Sequence, residues 1–303
     1  MRIGIFGGEV AGHGGIDEVV ASARRAADEG FASYWMPQIF GPDALTSLAV
    51  IGREVPDIEL GTAVVPTYPR HPMMLAGQAL TTQAISGGRL TLGIGLSHQV
   101  VIEAMFGQSF EKPVRHMQEY LSILMPLVHE GSVSFRGETM SANGTLDVAG
   151  ATPFPVLVAA LGPQMLELAG TAADGTITWM TGPGTLASHT VPAITKAAEQ
   201  AGRPPPRVCV GLPVCVTDDP DGARERAGRV FAVYDSLPSY KAMLDREGAT
   251  GPADVAIVGD EATVASAVRR LADSGATEFA AVEYGSVSTG DRERTRDLLR
   301  SLL

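Results

Sequence analysis

The segment "GTAVVPTYPRHP", residues 61–72, has the pattern of a buried strand that ends in a rigid loop. Its first five residues are small or β-branched and uncharged, as in strands that are buried on both faces. Three prolines follow, with Tyr68, Arg70 and His71 between them. Because proline cannot donate a hydrogen bond within a sheet, the strand must end there. The segment therefore predicts a core strand whose end presents an aromatic ring, a cation and an imidazole.

The same alternation of strand and loop recurs along the whole chain. Eight short apolar stretches rich in β-branched residues alternate with segments of helical period. The predicted strands cover residues 2–8, 32–37, 58–65, 89–96, 155–161, 175–180, 207–216 and 278–285. Strands that alternate with helices form a parallel sheet covered on both faces. At this length, and without a G-x-G-x-x-G pattern after the first strand, the sequence favours a closed α/β (β/α)8 TIM barrel over an open doubly wound sheet.

Two insertions interrupt the repeat. After the fourth strand come two helical stretches, at about 99–106 and 114–129, and then a predicted hairpin with its turn at Asn143-Gly144. After the seventh strand, roughly sixty residues precede the eighth, which is longer than one crossover needs and suggests a lid. No linker divides the chain, so residues 1–303 are predicted to form a single domain.

Composition limits the possible partners. A formal net charge of −11 argues against nucleic acid as a ligand. No apolar run approaches the length of a membrane helix, and the start of the chain does not resemble a signal peptide, so we expect a cytoplasmic protein. Cys209 and Cys215 are expected to be buried free thiols. His13, His71 and His98 stand on separate loops without the spacing of a metal site.

The predicted strand ends favour a bound cofactor. In (β/α)8 barrels the active site lies at the C-terminal ends of the strands. Here those ends are rich in Gly, Ala, Val, Met and aromatic residues, a lining that suits a flat, largely apolar redox cofactor. After the fifth strand, Gly162 and Pro163 are typical of a helix start whose free N–H groups bind phosphate.

Four motifs, in order, resemble one family. They are "LGTAVVPTYPRHP" (60–72), "GRLTLGIGLSH" (88–98), "AALGPQMLELAGTAADGTITW" (159–179) and "VGDEATVASAVRRLADSGATEF" (258–279). With them the chain resembles the bacterial luciferase-like monooxygenase superfamily, and within it the branch that uses coenzyme F420, a deazaflavin. The resemblance extends from Met1 to about Gly285.

The resemblance implies where the cofactor binds. A non-prolyl cis peptide at Ala63–Val64 is expected to support the cofactor ring, and the loop Leu161 to Met165 to bind its phosphate. Arg70 is a candidate for contacting the anionic tail. The full set of expected cofactor-binding residues is Phe6, Gly7, Ala63, Val64, Val65, Gly95, Ser97, Leu161, Gly162, Pro163, Gln164, Met165, Thr178, Trp179 and Gly182.

Two residues are candidates for catalysis. His98 aligns where the methanopterin reductases of the family carry an aspartate, and an imidazole there could protonate a substrate; the alternative is a histidine that only bonds the backbone. Gln38 follows the second strand, where sugar-phosphate dehydrogenases of the family have a histidine. Phe6 replaces an acidic residue of the methanopterin reductases. Neither sugar-phosphate oxidation nor folate-like chemistry is therefore supported.

The resulting hypothesis is a coenzyme F420-dependent oxidoreductase. It would transfer hydride between the deazaflavin and a small organic substrate, reducing an activated C=C or C=N bond. One alternative is a monooxygenase that uses reduced FMN and dioxygen, and another is a cofactor-free binding barrel. By resemblance, a homodimer is expected.

Overall fold

The computed structural model describes residues 1–7, 15–285 and 289–303. Its strands are β1 Arg2–Phe6, β2 Ser33–Met36, β3 Glu59–Thr62, β4 Val65–Pro66, β5 Leu90–Gly95, β6 Ser132–Arg136, β7 Ser141–Thr145, β8 Val156–Val158, β9 Gly175–Trp179, β10 Arg207–Val216, β11 Ile257–Gly259 and β12 Glu278–Glu283. The loop after β1, with His13, lies outside the described residues.

Helices connect these strands. They are α1 Ile16–Asp28, α2 Ala44–Glu54, α3 Pro72–Ile85, α4 Gln99–Ala104, α5 Pro113–His129, α6 Pro163–Ala172, α7 Pro183–Thr185, α8 Val191–Gln200, α9 Pro220–Val230, α10 Pro238–Glu247, α11 Pro252–Val255, α12 Glu261–Asp273 and α13 Asp291–Ser301. A π-helical turn, Leu186–Thr190, joins α7 to α8, and a 3₁₀ turn, Ala232–Ser236, precedes α10.

The sheet closes on itself, which confirms the predicted (β/α)8 barrel. All barrel pairings are parallel and run in the order β12, β1, β2, β3, β5, β8, β9 and β10, with β10 pairing back to β12. Pairs such as Ile3↔Phe279 and Cys209↔Ile177 fix the register. The short strand β4 continues β3 beyond a break and also pairs with β5.

Both predicted insertions are present. The first, after β5, contains α4, α5 and the antiparallel β6–β7 hairpin. The second, residues 217–277 between β10 and β12, contains α9 to α12 and the additional strand β11, which the sequence pattern did not predict. We call this segment the β10–β12 insertion.

The predicted turn of the hairpin is wrong. Asn143 and Gly144 lie within β7, paired with Ser134 and Val133, and the chain instead reverses between Arg136 and Ser141. The turn is fixed from outside the hairpin by the buried carboxylate of Glu119 on α5, which accepts hydrogen bonds from three consecutive backbone N–H groups, at residues 138–140. A tertiary contact therefore overrides the local preference of the Asn-Gly pair.

The N-terminal end of the barrel is closed by charged side chains. Arg207 donates to Glu59 at 2.8 Å and to Glu278 at 2.7 Å, and Arg2 donates to Glu59 at 2.6 Å. Each of these four is the first residue of its strand. The interior above them is filled by one buried cluster, made of Trp35, Leu157, Ile177, Cys209 and Ala280. Any open space for a ligand inside the barrel must therefore lie at its C-terminal end.

Candidate active site

The interior cluster ends in a half-buried apolar surface at the C-terminal end of the barrel. Phe6, Ala63 and Val64 are the partly exposed residues that pack on this cluster. The Phe6 ring lies 5.9 Å from the Trp179 ring, centroid to centroid. We call these four residues the floor, because they form the apolar surface on which a planar ligand could lie.

The backbone beneath the floor has the expected special geometry. The Ala63–Val64 peptide is cis, as the resemblance implied. Val64 lies close over β5, since a Cβ added at Gly95 would be 2.7 Å from Val64 Cγ2 and 3.1 Å from the Cβ of Ala159. Gly95 therefore makes room for the Val64 side chain and supports the floor indirectly.

A row of aromatic rings connects the floor to the first insertion. The Trp179 ring lies 5.7 Å from the ring of Tyr234, Tyr234 lies 5.0 Å from Tyr240, and Tyr240 lies 5.5 Å from His98. The ring of Phe231 also contacts Trp179 edge-on, at 5.7 Å. The β10–β12 insertion thus reaches across the mouth, and its three aromatic residues were not predicted as site residues. The sequence did contain a signal for them: residues 231–240 include three aromatic residues, whereas aromatic residues make up only 6% of the whole chain.

Two polar groups on β9 lack partners. The indole Nε1–H of Trp179, at the floor, and the hydroxyl of Thr178, on the opposite face of the strand, are buried and make no hydrogen bond in the described part of the chain. A buried donor without an acceptor costs about 1–3 kcal/mol. A native protein rarely leaves such a group without a partner, and a ligand at the floor would supply one for Trp179.

The loop after β8 presents free backbone donors. Gly162 is the N-cap of α6 and Pro163 its first residue, and no side chain caps this helix. Among the described residues, nothing accepts a hydrogen bond from the N–H groups of Gly162, Gln164 or Met165. The space in front of Gly162 is open, because an added Cβ would meet no atom within 4 Å. Free N–H groups at a helix N-terminus bind anions.

His98 lies at the start of α4 with its side chain half-buried. Its carbonyl accepts the N–H groups of Val101 and Ile102, but its imidazole forms no cap on the helix. Burial lowers the pKa of His98 below the usual value. The neutral imidazole is therefore favoured near pH 7. Ser97 precedes it in the left-handed conformation, with φ of 61°.

Several predicted site residues lie away from the floor. Gly7 is packed against Tyr34, whose hydroxyl would be 2.0 Å from an added Cβ. Val65 belongs to the core cluster that lies outside the barrel interior. Gly182 faces the carboxylate of Glu247, at 2.4 Å from an added Cβ to its Cδ.

Two further candidates already have structural partners. The side-chain oxygen of Gln38 accepts the backbone N–H of Ala44 at 2.7 Å, which caps α2. Arg70 is ion-paired with Asp43 at 2.6 Å, so its charge is already balanced.

Metal and membrane sites are not found in the described residues. No group of three His, Cys, Asp or Glu side chains there could hold a metal ion. Cys209 and Cys215 are buried and unpaired. Among the described helices, none combines the length and the apolar character needed to cross a bilayer.

The sequence matches one family. The family model described as luciferase-like monooxygenase matches residues 1–278, and the chain belongs to this family. It is therefore an oxidoreductase of the flavin and deazaflavin type that acts on small molecules.

Individual relatives are consistent with this assignment. The chain is 29% identical over 245 residues to a 5,10-methylenetetrahydromethanopterin reductase of Methanolobus tindarius, covering 80% of this chain and 74% of that protein. It is 28% identical over 255 residues to a putative coenzyme F420-dependent oxidoreductase of Mycobacterium tuberculosis, covering 78% and 71%. The coenzyme F420-dependent tetrahydromethanopterin reductase of Methanopyrus kandleri has the same fold, with a TM-score of 0.80 at 23% identity over 99% and 97% of the two chains.

Proposed function

We propose that the chain is a coenzyme F420-dependent oxidoreductase that reduces an activated C=C or C=N bond of a small organic substrate. The observation that carries the proposal is the unpartnered Nε1–H of Trp179, one of the residues of the half-buried floor. Such a surface suits a planar tricyclic ring with polar atoms at its edge. The relatives named for coenzyme F420 support the choice of cofactor.

Different parts of the mouth would hold different parts of the cofactor. Phe6, Ala63 and Val64 would lie against the ring, and the Trp179 indole would donate to an atom at its edge. The free N–H groups of α6 would hold the phosphate, aided by the helix dipole. When bound, the reduced deazaflavin supplies hydride, which is two electrons and one proton.

His98 would supply the second hydrogen. Reduction of a C=C or C=N bond forms one C–H bond from hydride and needs one proton at the other atom. His98 lies on the first insertion, 5.5 Å from the ring of Tyr240, and would deliver that proton. Closure by Tyr234 and Tyr240 would exclude water from the reacting atoms.

The substrate differs from those of two known branches. Phe6 stands where the methanopterin reductases carry an acidic residue, and Gln38, which caps α2, stands where the sugar-phosphate dehydrogenases carry a histidine. Neither position offers the group that those reactions use. An acceptor other than a pterin or a sugar phosphate is therefore proposed.

Cofactor titration tests the proposal directly. Purified protein is mixed with F420 or with FMN, and fluorescence quenching gives each Kd. We expect micromolar or tighter binding of F420, and weaker F420 binding by Trp179→Phe, which keeps a ring but removes the N–H. Binding of FMN without F420 would instead support the monooxygenase, a candidate that the family description favours. Binding of neither would favour a cofactor-free barrel.

We also propose that residues 1–303 act as a single domain in a cytoplasmic homodimer. The closed sheet, which uses strands from both ends of the chain, supports the single domain. The dimer rests on family resemblance, and light scattering of the purified protein tests it. A monomer at micromolar concentration would contradict it.

A further inference from the structure

His189 lies beside the proposed phosphate loop although it is distant in sequence. It belongs to the π-helical turn Leu186–Thr190, and its Nε2 lies 2.8 Å from the carbonyl oxygen of Leu161. A carbonyl can only accept, so Nε2 carries the hydrogen and donates. Turns of π-helix are rare and recur at functional sites.

This hydrogen bond fixes one peptide plane. The carbonyl of Leu161 and the N–H of Gly162 belong to the same planar peptide and point in opposite directions. Because His189 holds the carbonyl on one side, the Gly162 N–H must point to the other. That N–H is one of the donors without an acceptor among the described residues, and the space before Gly162 is open.

No cationic side chain lies on the loop itself. Residues 161–165 are Leu, Gly, Pro, Gln and Met, so the loop offers an anion only neutral donors, which are its backbone N–H groups and the Gln164 side-chain amide. The strength of such a site depends on how well its donors converge before the ligand arrives. A residue that fixes a donor in advance would therefore raise affinity for the phosphate without touching it.

We propose that His189 is a positioning residue for the cofactor phosphate. It orients the Leu161–Gly162 peptide so that the Gly162 N–H joins those of Gln164 and Met165 around one anion. This inference rests on the proposed function, since it takes the phosphate of a deazaflavin cofactor as the ligand. It assigns a role to a helix residue that the strand-end motifs do not include.

Comparing the affinity of each variant for two ligands distinguishes this role from a purely structural one. One is F420, and the other is its phosphate-free deazaflavin riboside, which has the same ring without the anion. The variants are His189→Phe, which keeps an aromatic ring but has no donor, and His189→Gln, which keeps a donor. Ser188→Ala is the matched control, because Ser188 is an exposed residue of the same turn and its hydroxyl donates to the carbonyl of Gly184 in α7.

The expected result is selective. His189→Phe should weaken F420 binding about tenfold or more and change riboside binding less than twofold, while His189→Gln should recover most of the F420 affinity. Ser188→Ala should bind both ligands like the wild type. If His189→Phe does not fold, two measurements replace it: ligand binding by His189→Gln, and exchange of the Gly162, Gln164 and Met165 amides in the wild type with and without F420. Protection of these amides by F420 but not by the riboside is then expected.

Other outcomes overturn the inference. If His189→Phe loses affinity equally for F420 and for the riboside, or for neither, His189 does not act through the phosphate loop. Absence of selective amide protection in the wild type would do the same. If the wild type binds neither ligand, the proposed function itself fails, and this result is distinct from the others.

Discussion

The carboxylate of Glu247 accepts a hydrogen bond from the backbone N–H of Thr185 at 2.6 Å. Its other oxygen accepts the N–H of Gly184 at 2.9 Å. Glu247 ends α10 in the β10–β12 insertion, whereas Thr185 follows β9 at the mouth of the barrel. An anion at a helix N-terminus is favoured by the helix dipole. This contact therefore ties the insertion, with Tyr234 and Tyr240, to the rim of the candidate active site.

Replacing Glu247 should loosen the insertion without unfolding the barrel. For Glu247→Ala we expect amide hydrogen exchange in α10 to rise about tenfold, because the lost contacts are worth about 1–2 kcal/mol. The matched control is Asp245→Ala on the same helix, which removes only an exposed pair with Lys241. Hydrogen exchange with mass spectrometry measures both variants, and equal exchange in the two would contradict the role of Glu247.

His98 should determine the alkaline limb of the pH–rate profile. Burial lowers its pKa below 6.5, so the protonated form that can act as an acid is populated only at lower pH. We therefore expect kcat/KM for reduction to fall as the pH rises through this pKa. His98→Gln should lose that limb and about 10²- to 10⁴-fold in rate, with an unchanged Kd for F420.

The control for His98 is its exposed neighbour. Among the described residues, the Gln99 side chain bonds Glu103 alone, on the surface of α4, so Gln99→Ala should keep the wild-type profile. Initial rates between pH 5 and 8, with any acceptor that a screen identifies, provide the measurement. The proton-donor role is wrong if His98→Gln retains the same fall of kcat/KM at high pH.

Local patterns predicted the barrel and its floor well. Buried strands are recognisable as apolar runs that end at Gly or Pro, and the C-terminal ends of parallel strands meet on one side of the barrel. The strand pattern and the family motifs together therefore predicted that Phe6, Ala63, Val64 and Trp179 lie at that end. The cis peptide at Ala63–Val64 followed from the resemblance alone.

Contacts between distant segments were not predictable in this way. The hairpin turn differs from the predicted one because its backbone bonds Glu119, which lies about twenty residues away in sequence. Gly182 faces Glu247, whose position depends on the whole β10–β12 insertion. Tyr240 meets His98 only because two insertions fold over the same mouth. These side chains meet their partners only in the tertiary structure. The hydrophobic periodicity of a local segment carries no information about such contacts.

Glu119 should be essential for the hairpin. Burial raises the pKa of its carboxyl, but the hydrogen bonds from Thr139 and from the backbone of Glu138, Thr139 and Met140 outweigh this effect and lower it to about 2. We expect Glu119→Ala to reduce the free energy of unfolding by about 2–4 kcal/mol, because several buried donors lose their acceptor. Glu119→Gln, which retains one acceptor oxygen, should lose less. Urea denaturation gives both values, and equal stability of Glu119→Ala and the wild type would refute the assignment.

His116 should make the fold sensitive to mild acid. It is 8% exposed, its Nε2 lies 3.0 Å from the Thr67 hydroxyl, and its ring stacks on Tyr68 at 3.9 Å. Burial lowers its pKa to about 4, against the attraction of Glu119. As the pH falls, His116 is therefore protonated near pH 6.5 in the unfolded chain but only near pH 4 in the folded protein. Stability should fall by roughly 3 kcal/mol as the pH drops from 6.5 to 4.

A variant without the imidazole isolates this effect. His116→Phe keeps a ring for stacking but cannot titrate, so its stability should fall less over the same pH range. Urea denaturation at pH 7, 6, 5 and 4 measures the difference between the two proteins. Parallel curves for His116→Phe and the wild type would show that another group is responsible.

Gly95 should control the shape of the floor through Val64. A methyl group at residue 95 would lie 2.7 Å from Val64 Cγ2, so the Val64 side chain must shift into the space above the floor. We expect Gly95→Ala to weaken F420 binding at least tenfold, and overpacking to lower stability by about 1–3 kcal/mol. The control is Gly77→Ala on α3, where an added Cβ meets nothing within 4 Å. That change should stabilise the protein by about 0.5–1 kcal/mol, as expected for Gly to Ala within a helix, and leave the Kd unchanged. If Gly95→Ala binds F420 like the wild type, the ring does not lie against Val64, and the floor is not the cofactor site.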